Sequence, residues 1–191
     1  EDSLVAQGEK WTQTQGVGVS WRPMVRAWIQ DHSISIERIR SGKAPFRLVD
    51  QIHEDSLRKL FPKYVKTNFS LSEMQVLEIS RFWHRLEPWK DVKSGLERLA
   101  SDFKLATLSN ANEALLLDLA KFAELPWQIH FSAEKVEHYK PDFQVYESAE
   151  RGLNLPSVQL MLVASHEYDL KAAKSRGWQT ALVLRTEKQI K

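Results

Sequence analysis

The chain has 191 residues, 42% of them hydrophobic and 27% charged, with a formal net charge of +2 and no cysteine. That size and balance suit a globular protein of one domain, or of one domain with a sizeable insertion. The lack of thiols excludes disulfides, thiolate metal sites and a cysteine nucleophile, and fits a reducing, cytoplasmic setting.

Basic residues alternate with acidic ones rather than gathering in runs, so the charge pattern carries no footprint for nucleic acid. No stretch approaches the roughly 18 consecutive apolar residues of a membrane span. The opening "EDSLVAQGEKW" has neither the charged-then-apolar layout nor the cleavage site of a signal peptide.

Residues 1–88 read as helical throughout. Apolar residues in "LVAQGEKW", "WRPMVRAWI", "RLVDQIHEDSLRKLF" and "MQVLEISRFWHRL" recur at three- and four-residue spacing, the period of a helix with one buried face. Turn-forming residues break the pattern at Gly16-Val17-Gly18, at residues 41–45 and at residues 67–70, which predicts four helices. Ser70 or Ser72 is placed to cap the fourth, with Glu73 close by.

Beyond Pro88 the texture changes. Short apolar runs at 103–108, 128–131, 158–164 and 179–184 alternate with the helical stretches "VKSGLERLA", "NEALLLDLAKFA", "FQVYESAERG" and "YDLKAAKSRG". Strands alternating with helices predict an α/β fold whose parallel sheet is covered on both faces. Ligands of such sheets bind beyond the carboxyl ends of the strands, so the polar residues just after each strand are the candidates for chemistry.

The first strand runs into Ser109-Asn110, where a side-chain cap and a helix N-terminus open to an anion are both natural readings. "HYKPD" sets Lys140 before Pro141, whose fixed φ suits the first turn of the following helix. Taken alone, Lys140 reads as a surface lysine and Tyr146 as a packing residue. Asp169 opens the helix after the third long strand, where a carboxylate complements the helix dipole, and Ser165 and His166 form the turn ahead of it. No second histidine or carboxylate stands at metal-ligand spacing beside His166.

In that order and spacing, "LSNANEALL", "AELPW", "YKPDFQVY" and "VASHEYDLKAAKSRGWQTA", with "HRLEPWKDVKSGLERL" ahead of them, resemble the haloacid dehalogenase superfamily and its type II 2-haloacid dehalogenase branch. The resemblance runs over essentially the whole chain. It implies a Rossmann-like parallel core at residues 89–191 and a four-helix cap at residues 1–88.

It further implies that Ser109 orients an attacking aspartate, that Asn110 helps hold a departing halide, and that Lys140 neutralises the nucleophile. Tyr146, Ser165 and His166 then belong to the substrate-binding set, and Asp169 supports Lys140 or activates water. Phosphatases of the superfamily carry an acidic residue where this chain has Ser165, because phosphoryl transfer needs Mg²⁺. The resemblance thus implies a metal-independent, cofactor-free hydrolase that displaces halide from a small (S)-2-halo acid, with a homodimer as a possible assembly.

The chain departs from the branch in two places. The nucleophile motif, an apolar strand ending in an Asp-x-x-Gly-Thr-like turn, is absent around Asp2, so the expectation is an N-terminally incomplete core whose central strand lies upstream of Glu1. In the cap, relatives carry a substrate-binding arginine where this chain has Ile29; Arg26, three residues earlier on the same helix face, is the candidate replacement. Two other functions stay open on the sequence alone: a non-enzymatic relative serving as a binding module, and hydrolysis of another small acid or a phosphate ester.

Overall fold

A computed structural model describes residues 1–185. The last six residues of the expected α/β part, 186–191, lie outside the described residues.

Four helices come first, as the spacing predicts: α1 (Asp2–Gln15), α2 (Trp21–Arg40), α3 (Val49–Tyr64) and α4 (Glu73–Ser80), the last continued by a 3₁₀ segment, Arg81–Arg85. Gly16 ends α1 in the left-handed conformation, at φ 66°, with its N–H on the carbonyl of Thr12. Ser72 caps α4, and Gln75, not Glu73, completes the capping box. The apolar stripes meet in one core that includes Leu4, Trp11, Trp21, Trp28, Leu57, Phe61 and Ile79.

Gly8 lets α1 approach α2 closely, because a Cβ built there would stand 2.2 Å from Cδ2 of buried Trp21. Alanine normally gains about 1 kcal/mol over glycine inside a helix. Here the overlap with a rigid indole outweighs that gain, and Gly8→Ala is expected to cost about 1 to 3 kcal/mol in urea denaturation. A stabilised variant would show that the two helices can move apart freely.

The second part comprises α5 (Val92–Leu99), β1 (Ala106–Ser109), α6 (Glu113–Phe122), β2 (Ile129–Ser132), α7 (Phe143–Leu153), β3 (Met161–Ala164), α8 (Glu167–Ser175) and β4 (Gln179–Leu182). All four expected strands form, each four residues long: the first and second end one residue later than expected, and the third and fourth are trimmed within their apolar runs. They pair in parallel as β1 with β2 and β3 with β4, in two separate two-stranded sheets.

The expectation of a sheet covered on both faces is not met at β3. Leu162 points into the core with Val145, Tyr146 and Trp178, whereas Met161 and Val163 are 59% and 54% exposed. The alternation is physical: side chains of a strand leave on opposite faces, and no described element covers the second one.

The two parts are joined by a third apolar cluster. Ile36, Val49 and Ile52 of the helical part pack with Leu115, Ala133 and Tyr139 of the α/β part. Beside it, Asp50 of α3 accepts a hydrogen bond from Asn112 Nδ2 at 2.9 Å and, through its other oxygen, contacts His84 Nε2 at 2.9 Å. Among the described residues no helix is long and apolar enough to cross a membrane.

Candidate active site

Ser109 is the last residue of β1, and Ser165 directly follows β3, so both polar turns lie at the carboxyl ends of parallel strands. α6 starts only at Glu113, with Asn112 as its N-cap residue. Neither Ser109 nor Asn110 therefore caps that helix. The Ser109 hydroxyl instead accepts the Ala111 N–H at 3.1 Å, and the first helical amide, Glu113 N, donates to the Glu134 carboxylate at 2.8 Å. The N-terminus of α6 thus meets an anion of its own chain, a role that nothing in the sequence around Glu134 announces.

The Asn110 side chain reaches across to the lysine loop, its Oδ1 accepting the Lys140 N–H at 2.8 Å. Lys140 Nζ in turn lies 2.8 Å from Asp169 Oδ2, and both side chains are only 9% exposed. The other oxygen, Asp169 Oδ1, accepts the Tyr146 hydroxyl at 2.6 Å. Asn110, Lys140, Asp169 and Tyr146 are thereby linked into one network, although they come from four separate segments of the chain.

Burial pushes the Lys140 ammonium below its ordinary value, and the charge and hydrogen bond of Asp169 act in the opposite direction. Burial, with the hydrogen bond to Asp169, drives the Tyr146 hydroxyl well above its ordinary value, so it remains a neutral donor. Asp169 has each oxygen committed to a donor, which makes it a holder of the lysine rather than a free nucleophile.

Pro141 precedes the α7 cap residue Asp142 and so lies two places ahead of the first helical residue, Phe143, outside the first turn expected for it. The rest of the sequence-based set divides. His166 is the exposed residue capping α8, and its Nδ1 lies 3.4 Å from the half-buried Ser165 hydroxyl. Arg26 is not brought to the network: its side chain is 65% exposed and its Nε pairs with Glu1 at 2.9 Å. Ile29 packs against the core of the helical part.

The arginine of α2 that does reach the α/β part is Arg40, whose Nε donates to Asp142 Oδ1 at 3.0 Å and whose charge acts on Tyr146 and Tyr168. Nothing in local spacing marks it, since its partner is 102 residues away. A cleft of about 500 Å³ lined by Ser3, Gln7, Lys10, Glu78, Arg85 and other residues opens on the helical part and includes none of the network.

A buried lysine and aspartate at the carboxyl ends of parallel strands, beside a Ser-Asn turn and under a helical unit, define a hydrolase of one large class. Residues 44–183 match the family model described as haloacid dehalogenase-like hydrolase, and the chain belongs to that family. Among curated proteins it is 25% identical to an (S)-2-haloacid dehalogenase of Pseudomonas putida over 186 residues, 96% of this chain and 78% of the relative. A solved L-2-haloacid dehalogenase superposes with a TM-score of 0.90 at 39% identity, covering 98% of this chain and 80% of that one. A defluorinating L-2-haloacid dehalogenase follows at a TM-score of 0.89 and 30% identity, covering 96% and 75%.

Proposed function

We propose that this hydrolase acts as an (S)-2-haloacid dehalogenase, with residues 1–88 as cap and 89–191 as catalytic core. The observation that carries the reading is the buried Lys140–Asp169 pair tied through Asn110 to the turn after β1. Lys140 supplies the positive charge that holds an attacking carboxylate ionised, and Asp169 and Tyr146 fix where that charge sits. The Ser109 hydroxyl orients the carboxylate, and the Asn110 amide, whose oxygen is occupied by Lys140, has its N–H groups left to face a departing anion.

The reaction runs in two steps. A carboxylate oxygen attacks Cα of the 2-halo acid as the carbon–halogen bond breaks and halide leaves with the electron pair. Water then adds at the carbonyl of the resulting ester, releasing the 2-hydroxy acid and restoring the carboxylate.

The attacking carboxylate is not Asp169, whose two oxygens are already held by Lys140 and Tyr146. Ser165, standing where Mg²⁺-dependent relatives carry an acid, supports halide displacement over phosphoryl transfer. The reading includes a small-molecule substrate and a cytoplasmic setting, with a homodimer as a possible assembly.

The product of the complete coding sequence is expected to release halide from 2-chloropropionate without added Mg²⁺. Halide release at background, or a Mg²⁺-stimulated rate on p-nitrophenyl phosphate, would overturn the proposal.

A further inference from the structure

The loop that carries Lys140 is held from both sides by the cap. Ahead of the lysine, Tyr139 is 1% exposed, lies against Phe46 with the rings tilted by 30° and their centroids 5.1 Å apart, and donates its hydroxyl hydrogen to the Arg47 carbonyl. Behind it, Asp142 Oδ1 accepts Arg40 Nε at 3.0 Å, while Oδ2 lies 3.3 Å from His138 Nδ1. The core holds Lys140 itself, by the bond from its N–H to Asn110 Oδ1 at 2.8 Å and by the Asp169 carboxylate at 2.8 Å from its Nζ.

We infer that Arg40 and the Phe46–Arg47 segment are positioning elements, through which the cap sets where the Lys140 ammonium stands. The two cap contacts bracket Lys140 within four residues, so a shift of the cap is transmitted to both ends of one short loop. Asn110 then acts as the pivot, and Asp169 marks the position the ammonium occupies when the cap is seated.

The physical argument is one of geometry. A buried ion pair is favourable only while its alignment is kept, because both charges have left water. Arginine suits the outer grip: its planar guanidinium has further donors, and one of them, Nη1, pairs with Glu37 Oε2 at 2.8 Å on the same helix. The grip links parts of the chain that share no sequence neighbourhood, with separations of 102 and 92 residues.

This inference depends on the proposed function only for the use made of Lys140; the placement itself is measured without turnover. Amine acylation of the folded protein, followed by peptide mass spectrometry, reads how often the Lys140 side chain becomes accessible. Exposed Lys171 serves as the internal standard.

Arg40→Gln and Asp142→Asn are each expected to raise labelling of Lys140 about fivefold or more relative to Lys171, by loosening a local opening step. The double variant should go no further than either single one, and Arg40→Lys should restore part of the protection. Arg22→Gln, which removes ion pairs with Glu1 and Asp2 at the end of α2 opposite Arg40, should leave Lys140 as protected as before. Tyr139→Phe removes one hydroxyl from the other grip and provides the same reading if the charged variants do not fold. Unchanged protection of Lys140 in folded variants, or an equal rise in Arg22→Gln, would overturn the inference. Lost protection together with absent halide release would leave the clamp standing and sink the dehalogenase reading.

Discussion

Lys140→Met is expected to lower the rate of halide release by about a hundredfold to a thousandfold, the usual cost of deleting one preorganised electrostatic partner. The side chain is of similar length, so the loss reports charge rather than volume. It also leaves Asp169 buried with Tyr146 as its remaining donor. Asp169→Asn tests the same pair from the other side. Burial already lowers the proton affinity of Lys140, and the Asp169 charge opposes that effect, so its removal lets the ammonium lose its proton at lower pH. The alkaline limb of the rate profile should therefore move toward neutrality in Asp169→Asn. An unmoved limb, or a Lys140→Met variant within about tenfold of the parent, would exclude the lysine as the site's working charge.

Much of this architecture is legible in the sequence because it rests on local periodicity. The three- and four-residue spacing around Trp21, Met24, Val25 and Trp28 writes one buried helix face, and each of these residues is buried. The strands are equally visible as short apolar runs, and their polar ends point to Ser109, Asn110 and Ser165. Lys140 and Asp169 gain meaning only from their joint order, since a lone lysine before a proline is ordinarily a surface residue. What local spacing does not reveal are the contacts between distant segments: Arg40 on Asp142, Tyr139 on the Arg47 carbonyl, Glu134 on the α6 amide. Each depends on how two parts of the chain dock, and no periodic pattern encodes that. Arg26 stays apart from the network for the same reason. Helical spacing ties Arg26 to Ile29, but the helix turns Arg26 outward to Glu1 and its final turn meets the core.

Asp50→Asn carries the largest expected effect on stability, because one carboxylate holds the two parts of the molecule together. Its Oδ2 accepts Asn112 Nδ2 at 2.9 Å, its Oδ1 lies 2.9 Å from His84 Nε2, and its own N–H donates to Asn112 Oδ1 at 3.2 Å. The second nitrogen of His84, Nδ1, lies 2.7 Å from Asp118 Oδ2 on α6, so the imidazole stands between a carboxylate from each part. In the amide variant the new NH₂ group either faces Asn112 Nδ2, donor against donor, or faces His84 Nε2, which accepts it only when the imidazole donates from Nδ1 to Asp118; in both cases the charge-assisted bonds of the carboxylate are lost in a site where His84 and Asn112 are buried. A loss of about 2 to 3 kcal/mol near neutral pH is expected in urea denaturation. The pH dependence separates this network from simple packing. Burial raises the Asp50 carboxyl, but the hydrogen bonds from His84 and Asn112 outweigh it and hold the group below its ordinary value of 3.8. Its contribution is accordingly full above that unfolded-state value and disappears as the pH falls through the lower folded-state one. The gap between parent and Asp50→Asn should narrow over that acid range. A gap that stays constant down to the lowest pH at which both proteins fold would assign the loss to shape alone and remove the carboxylate from the joint.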